Sequence, residues 1–253
     1  MCNGGVPLLE FDQGQAEKVK PADIVAGAIP DRVVLSFFAD VIDDRCGEGK
    51  ARVVHELRWE GIVSKVFAVE TRRGSVAVVH PGVGAPLAAG ILEELIALGG
   101  RYFVACGAAG SLVPGQEMGR IVVPVSAVRD EGTSYHYLSA SRFVEADPLA
   151  LDVVITNLSR HGLEHTTGPT WTTDAPFRET ADRVERRRQE GCLVVEMEAA
   201  ALMAVAAHRG VRLAYYLYAG DDVSASEWEP RGWRSSPARR QLFDLAVEAV
   251  TNF

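Results

Sequence analysis

Two acidic residues interrupt an otherwise apolar segment of the chain, in the run VVEMEAAAL at 194–202. Residues two apart in an extended chain point to the same side, so Glu196 and Glu198 would present their carboxylates on one face. A buried carboxylate without a partner is costly, so these acids are expected to bind something. A carboxylate accepts two hydrogen bonds side by side, as a vicinal sugar diol would offer, and both residues are candidates for sugar binding. The alternative is that one glutamate only stabilises a helix N-terminus, where negative charge is favoured.

A second pair of acids follows the aromatic-rich apolar segment 212–219, after a single glycine. Asp221 and Asp222 would then stand at the end of a strand. An acid in a largely apolar pocket at such a position can donate a proton to a substrate. Aspartate is also a common cap of turns and helices, so the pattern leaves a structural role open.

Two segments rich in small residues follow predicted strands, PGVGAP at 81–86 and GAAGS at 107–111. Glycine lets a backbone approach a ligand closely, and the N–H groups of such loops can bind an anion or a sugar. Gly82, Gly107, Ala108 and Gly110 are therefore candidates for this role. Tight packing of a strand against a helix is the competing explanation for each segment.

The segment WTTDAPFRET at 171–180 combines aromatic side chains, a guanidinium and small polar residues. A flat heteroaromatic ring is bound by an apolar surface together with hydrogen bonds directed to its edge. Phe177 and Arg178 could supply both, although the segment is also typical of a capped helix start.

Apolar runs alternate with amphipathic stretches along the chain. Runs at 32–38, 62–70, 75–80, 102–106, 121–125, 193–197 and 212–219 predict strands, and stretches at 85–98, 148–161, 180–190, 198–208 and 237–250 predict helices. This alternation indicates an α/β fold with a mainly parallel sheet covered by helices on both faces. No linker rich in Pro, Gly and Ser divides the chain, so we expect residues 1–253 to form a single domain. Ligands of such sheets bind at the carboxyl ends of the strands, where the candidate residues stand.

The composition excludes several classes of protein. The 253 residues include 26 basic and 34 acidic side chains, a net charge of −8, whereas a nucleic-acid-binding protein normally has a basic surplus. Cys2, Cys46, Cys106 and Cys192 form no CxxC pair, so we expect reduced thiols, no metal site and no resident cofactor. The N-terminus lacks the features of a signal peptide, and the longest uncharged apolar stretch, 199–207, is too short to cross a bilayer. These features predict a soluble cytoplasmic protein without nucleic-acid or membrane partners.

Together and in this order, the motifs resemble the nucleoside phosphorylase family, which comprises purine nucleoside phosphorylases, uridine phosphorylases and methylthioadenosine nucleosidases. The motifs are GVGAP at 82–86, GAAGSL at 107–112, RDEGTSYHYL at 129–138, TTDAPFRET at 172–180 and VVEMEAAAL at 194–202, followed by the acid-bearing strand end. The resemblance covers about residues 33–223 and is strongest to the uridine-phosphorylase-like bacterial branch. An N-terminal extension, 1–30, and a C-terminal helical segment, 224–253, carry none of these motifs.

The resemblance implies a three-layer α/β sandwich with a twisted, mixed central sheet, and an enzyme that cleaves the N-glycosidic bond of a nucleoside. It implies that Glu198 holds the ribose hydroxyls, that Met197 packs beneath the sugar, and that Asp221 protonates or hydrogen-bonds the leaving base. Phe177 and Arg178 would contact the base. Glu198 and Asp221 are therefore the expected catalytic residues. Phosphate is implied as a possible co-substrate, and a homo-oligomer, a dimer or a hexamer, as the assembly.

The phosphate end of the expected site departs from the family pattern. Phosphorylases of the family usually carry a GDPxR loop after the first strand, where this chain has FFADVID at 37–43, and an arginine and a hydroxyl residue where it has Ala105 and Ala108. The serine before the catalytic aspartate is replaced by Gly220. These losses predict weak or absent phosphate dependence, with a water at the site that segment 107–111 would border and Asp40 would orient.

Three interpretations of the function remain open from the sequence. The first is phosphorolysis of a nucleoside to free base and ribose 1-phosphate. The second is phosphate-independent hydrolysis by a nucleosidase. The third is a non-catalytic nucleoside-binding protein on the same fold, since a fold alone does not determine function.

Overall fold

The computed structural model describes residues 5–12, 14, 17–232 and 234–253, and Cys2 lies outside them. The strands are β1 (Arg32–Ser36), β2 (Arg52–Trp59), β3 (Ile62–Thr71), β4 (Gly74–Val79), β5 (Tyr102–Ser111), β6 (Ile121–Asp130), β7 (Phe143–Glu145), β8 (His165–Thr173), β9 (Val194–Glu196) and β10 (Arg212–Asp222). The helices are α1 (Pro21–Ile24), α2 (Ala39–Cys46), α3 (Ala85–Ala97), α4 (Pro148–Arg160), α5 (Ala181–Gln189), α6 (Ala199–Arg209) and α7 (Ser236–Val250).

These strands form one mixed sheet in the order β2-β3-β4-β1-β5-β9-β8-β6-β10, with β7 beside β6. Strand β10 also pairs with β5, so β5, β9, β8, β6 and β10 close into a ring. The pairs β1–β4, β1–β5, β5–β10, β6–β8 and β8–β9 are parallel, and the other pairs are antiparallel. The mixed sheet implied by the resemblance is confirmed. The mainly parallel sheet expected from the alternation of elements is wrong, partly because the two-residue connections of β2–β3 and β3–β4 permit only antiparallel hairpins.

Helices cover both faces of the sheet because its strands are apolar on both sides. Successive side chains of a strand point to opposite faces. In β10, Tyr215 and Leu217 pack in a core with apolar residues of α3 and α6, whereas Tyr216 and Tyr218 pack in a second core with residues of α2, α4 and α7. This arrangement gives the three layers that the resemblance implies.

The helix ends follow from local sequence signals. Pro86 occupies the first turn of α3, and Gly99 follows its end with a φ of 110°. The carboxylate of Asp147 accepts a hydrogen bond from the backbone N–H of Ala150, 2.8 Å away, and so caps α4. Gly210 ends α6 in the left-handed conformation, which glycine adopts without steric cost.

Five of these helices and strands are missing from the sequence prediction: β2, β7, β8, α1 and α2. Strand β8 contains Gly168 and Pro169, which are typical of turns and obscure its pattern. A further difference affects the site directly. The segment 107–111, expected to be a loop, is the second half of β5 and pairs with β10 and β9.

Within the described part of the chain, no helix combines the length and the apolar character needed to cross a bilayer. Cys46, Cys106 and Cys192 are free and buried. Burial raises the pKa of the Cys46 thiol to about 11 and that of Cys106 to about 12, so these thiols are protonated at neutral pH.

Candidate active site

A cavity of about 1000 Å³ opens where β1, β5, β9 and β10 end. Most of the residues predicted for the site line this one cavity, namely Asp40, Gly107, Ala108, Gly110, Phe177, Glu196, Met197, Glu198 and Asp221. Gly82 and Arg178 are not among the described residues that line it. The cavity therefore brings together side chains that lie as far apart in sequence as Asp40 and Asp221.

Glu198 lies between the end of β9 and the start of α6 and lines the cavity. It occupies the N-cap position of α6, is buried, and accepts a hydrogen bond at Oε1 from the backbone N–H of Gly84, 2.6 Å away. Gly84 has a φ of 93°, which an L side chain adopts only with strain. The segment 81–86 thus positions a carboxylate of the protein, whereas the sequence predicts that it binds a ligand directly.

Gly82, in the same segment, leaves the space that the Leu87 side chain of α3 occupies. Its φ is 79°, and a Cβ atom at this position would lie 2.3 Å from a methyl carbon of Leu87. Only glycine fits there, and the adjacent Val83 is the residue of this pair that reaches the cavity.

Glu196 uses both carboxylate oxygens within the protein. Oε1 accepts a hydrogen bond from the Thr172 hydroxyl at 2.5 Å, and Oε2 accepts the backbone N–H groups of Glu198 at 2.7 Å and Ala199 at 2.6 Å. These N–H groups belong to the start of α6, where a negative charge is favoured. The geometry matches the structural alternative that the sequence leaves open for one of the two glutamates.

Burial raises the pKa of both Glu196 and Glu198, and the charge of Glu196 raises that of Glu198 further. Hydrogen bonds from Thr172 and from the start of α6 oppose this rise at Glu196. The two carboxyls titrate as a pair, so together they carry less than two full negative charges near neutral pH. A cationic centre placed against Glu198 would favour its ionised form.

Asp221 reaches the cavity because the pairing of β10 with β5 shifts register between Ala219 and Asp222. Its Oδ2 accepts a hydrogen bond from the indole N–H of Trp228 at 2.7 Å. The ideal Cβ position of Gly110 lies 3.6 Å from both Asp221 oxygens, so the strand leaves space for this carboxylate.

Asp222 points away from the cavity and has structural partners. Its Oδ1 accepts the backbone N–H of Ser224 at 2.8 Å, and its Oδ2 lies 3.3 Å from Nη1 of Arg231. Arg231 also donates to the backbone carbonyls of Gly220 and Asp221. Of the two aspartates, Asp221 is the one that lines the cavity.

The segment between β8 and α5 forms one rim of the cavity. Phe177 lines the cavity with its side chain fully exposed, and Arg178 lies exposed at the surface beside it. Glu179, which the sequence motifs leave without a role, is half-buried and also lines the cavity. Burial and the charge of Asp221 raise the pKa of Glu179 to about 7.

The opposite rim contains Asp40 at the start of α2. Its Oδ1 accepts a hydrogen bond from Nη1 of Arg239, 2.6 Å away, and the Arg239 guanidinium lies 5.3 Å from the centre of the Phe38 ring. Phe37 stacks on Tyr215 with ring centres 6.3 Å apart, and its ring lies 3.4 Å from the ideal Cβ position of Gly107. Aromatic side chains thus occupy the place where the family pattern has a glycine-containing loop.

Backbone N–H groups of 107–110 are not grouped as an anion-binding loop. Residues 107–109 are paired with β10 and Gly110 is paired with β9, and the backbone groups of a paired strand are largely used by the sheet ladder. The expectation that the segment is a loop is therefore wrong, although Gly107, Ala108 and Gly110 do line the cavity.

Sequence reasoning missed five cavity-lining residues that carry polar side-chain atoms: Glu179, Tyr215, Trp228, Arg234 and Arg239. Three of them, Trp228, Arg234 and Arg239, lie in the segment 224–253, where no motif is visible. A cluster of arginines and tryptophans at 228–240 is the one signal that could have drawn attention to it. In the described parts of the chain, no three His, Cys, Asp or Glu side chains are grouped to hold a metal ion.

The motif at 129–138 serves the interior of the fold. Arg129 is buried and donates to the carbonyls of Leu138 and Ser139 and to the Ser134 hydroxyl. Asp130 pairs with Arg187 at 2.8 Å. These contacts fasten the turn after β6 and helix α5 to the sheet.

Known proteins that are similar in sequence to this chain include two named nucleoside phosphorylases. A guanosine phosphorylase of Halorubrum lacusprofundi is 33% identical over 137 residues, which are 54% of this chain and 57% of that protein. The chain thus spans little more than half the length of this relative. A uridine phosphorylase of Salmonella typhimurium is 28% identical over 191 residues, 70% of this chain and 75% of that protein.

The fold agrees as well. The crystal structure of a uridine phosphorylase from Vibrio fischeri superposes with a TM-score of 0.74 at 20% identity, covering 96% of this chain and all of that one. The family described as the Phosphorylase superfamily matches residues 43–250, most of the chain. The resemblance seen in the motifs is confirmed, and the chain belongs to the phosphorylase superfamily.

Proposed function

We propose that this chain cleaves the N-glycosidic bond of a nucleoside. The observation that carries the proposal is the placement of Glu198, a buried carboxylate held by Gly84, in the same cavity as Asp221. The relatives of this chain include a guanosine phosphorylase and a uridine phosphorylase, which supports a nucleoside as the substrate class. These two names leave open whether the base is a purine or a pyrimidine.

The chemistry of this bond requires two kinds of help from a protein. Cleavage passes through a sugar with the character of an oxocarbenium ion, which a nearby anion stabilises. The base leaves with the bonding electron pair and needs a proton or a hydrogen bond. Glu198 supplies the anion and accepts the ribose hydroxyls, and Asp221 marks the end of the cavity where the base lies.

The remaining predicted residues fit around these two. Met197 is half-buried in the wall beside Glu198 and would pack beneath the sugar. Glu196 orients the start of α6, and with it Glu198. Phe177 stands at the rim, where it would cover the base. Arg178 would reach the base only if the segment 174–179 moves toward the cavity.

The test of this proposal is the release of free base. The purified protein is incubated with purine and pyrimidine nucleosides, with and without phosphate, and the products are separated by chromatography. Free base from at least one nucleoside is the expected result. Binding of a nucleoside without any release of base would instead support the non-catalytic interpretation.

Phosphorolysis is the first candidate for the reaction, because the relatives are named phosphorylases. The bond from C1′ to the base breaks, a phosphate oxygen bonds to C1′, and the base leaves protonated. Among the described residues that line the cavity, Arg234 and Arg239 are the cationic ones, and they could contact a bound phosphate. Saturable phosphate kinetics with ribose 1-phosphate as the sugar product would establish this reaction.

Hydrolysis is the second candidate, and one specific observation favours it. Asp40 holds the Arg239 guanidinium in an ion pair, so a phosphate would have to compete with this carboxylate for the cation. Phe37 meanwhile covers Gly107 with an apolar ring. Free ribose, formed equally well without phosphate, would establish hydrolysis and exclude phosphorolysis.

Assembly and location belong to the same proposal. A homo-oligomer, a dimer or a hexamer, is expected in the cytoplasm with a nucleoside and phosphate as small-molecule partners. Light scattering of the purified protein measures the assembly, and a mass equal to one chain would contradict this part.

A further inference from the structure

Glu179 and Asp221 lie at the same end of the cavity, although they come from different elements. Glu179 follows the 3-10 turn Pro176–Arg178, and Asp221 stands at the shifted end of β10. Both line the cavity, and they are close enough for the charge of Asp221 to act on Glu179. This end of the cavity is where the proposed function places the leaving base.

The two carboxyls have different surroundings. Asp221 accepts the indole N–H of Trp228 across 2.7 Å and is fixed by this contact within the protein. Glu179 is desolvated and faces the charge of Asp221, so its pKa is raised to about 7. When the surroundings of two nearby carboxyls give them different pKa values, the carboxyl with the higher pKa can act as the acid and the other as its charged partner.

The other charged groups of the cavity do not reverse the difference between the surroundings of Glu179 and those of Asp221. Besides Asp221, five carboxylates or arginines line the cavity from β9, the start of α6, α2 and the C-terminal segment, and Arg178 and Asp174 lie on the segment of Glu179 itself. The cavity-lining carboxylates are Asp40, Glu196, Glu198 and Asp221, and the arginines are Arg234 and Arg239. Carboxylates outnumber arginines in the cavity lining, and this excess of negative charge favours the protonated form of one of the carboxyl groups.

We propose that Glu179 is the proton donor to the leaving base and that Asp221 is the charged partner that keeps the proton on Glu179. This assignment rests on the proposed function. It gives a catalytic role to a residue for which the motifs predict none, and it changes the role of Asp221 from donor to partner.

The step balances as follows. The bond from C1′ to the base nitrogen breaks, and its electron pair goes to the base. The carboxyl proton of Glu179 moves to the base, and Glu179 becomes a carboxylate. A phosphate oxygen forms the new bond to C1′, or water forms it and loses one proton to Asp40 or to solvent. Glu179 takes a proton from solvent when the base has left.

The wild-type protein provides the first test. For a natural nucleoside, kcat/KM falls as the pH rises above about 7, because the active form of Glu179 is protonated. For an activated substrate, 4-nitrophenyl riboside or an N7-methylpurine nucleoside, the leaving group needs no proton, so this alkaline fall is absent. An equal alkaline fall for natural and activated substrates would overturn the assignment.

Substitution provides the second test. Glu179→Gln keeps the shape of the side chain and removes the proton that can be donated. We expect kcat/KM for natural nucleosides to fall about 100-fold or more, the usual range for loss of a general acid, with little change for the activated substrates. The alkaline fall should disappear from what activity remains. Glu179→Asp, which keeps a carboxyl, should retain the alkaline fall.

Glu185→Gln on α5 is the matched control. Glu185 pairs with Arg188 at the exposed surface of the helix, so the same change of charge away from the cavity should leave the rate and the pH profile unchanged. A Glu179→Gln protein that slows natural and activated substrates equally, or that keeps full activity on natural ones, would overturn the assignment. If the wild-type protein releases a leaving group from no substrate, the proposed function itself fails, which is a different result.

Discussion

The backbone N–H of Gly84 donates a hydrogen bond to Oε1 of Glu198 across 2.6 Å. The two residues belong to motifs 114 positions apart in the chain, and this bond joins them at the cavity. It fixes the carboxylate that the proposed function places against the sugar. The conformation of one glycine therefore controls the position of the central anion of the site.

Gly84→Ala should impair activity more than stability. The positive φ of Gly84 makes any L side chain strained, at a cost of about 1–3 kcal/mol, and the strain would move the N–H away from Glu198. Gly74→Ala is the control, because Gly74 also has a positive φ and open space but lies in the β3–β4 hairpin. We expect similar loss of stability in urea for both variants and loss of base release only for Gly84→Ala. Equal activity of the two variants would show that the loop does not position Glu198.

The motifs around Glu198 and Asp221 could be recognised from the sequence because a carboxylate at the end of an apolar strand is costly to bury without a binding partner. The register shift that turns Asp221, and not Asp222, into the cavity could not be predicted, since it depends on how β10 pairs with β5. Glycine and alanine at 107–110 indicated a loop, but strands on either side pair with these residues and keep them in the sheet.

The residues from the C-terminal segment were beyond prediction for a different reason. Arg239 contacts Asp40, 199 positions earlier in the chain, only after the chain has returned across the sheet. Trp228 follows Asp221 by seven positions, but no motif marks the turn that brings its indole N–H to that carboxylate. The alternation of apolar residues predicts the two covered faces of the sheet. It contains no information about which polar side chains at the strand ends become neighbours.

Stability should depend on pH through the buried pair Glu196 and Glu198. Burial raises their pKa values in the folded protein above that of an unfolded glutamate, so the folded state binds protons more tightly. The free energy of unfolding should therefore fall as the pH rises from about 5 to about 8. In Glu198→Gln this fall should be smaller, because one of the two titrating groups is gone. Parallel urea-unfolding profiles of the two proteins across this pH range would contradict the effect of burial.

Arg231 should act as a positioning residue for Asp221. Its guanidinium donates to the carbonyls of Gly220, Asp221 and Gln116, and lysine cannot reproduce this fork of donors. Arg231→Lys should destabilise the protein by about 1–3 kcal/mol and lower kcat more than KM changes.

Arg58→Lys is the control for that variant, because Arg58 pairs with Glu56 at the exposed surface of β2. This substitution should change neither unfolding nor base release. A kcat of Arg231→Lys equal to that of the wild type would show that the end of β10 holds Asp221 without Arg231.

Asp40→Asn distinguishes the two candidate reactions. If water is the nucleophile and Asp40 orients it, the substitution should slow base release about 100-fold or more, since it removes a general base. If phosphate is the nucleophile, the loss of the Asp40 carboxylate removes one competitor for the Arg239 guanidinium, and the KM for phosphate should fall. Steady-state kinetics at several phosphate concentrations decide between these outcomes.

The most direct test of the central claim is the rate of free-base release by the wild-type protein and by Glu198→Gln, measured by chromatography on the same panel of nucleosides. Glutamine keeps the shape of the side chain but removes the charge that faces the oxocarbenium-like sugar. We predict base release by the wild type and a loss of about 100–1000-fold in Glu198→Gln, with thermal unfolding showing that the variant is folded. A folded Glu198→Gln protein with a rate near that of the wild type, or a wild type that releases no base from any nucleoside, would contradict the account.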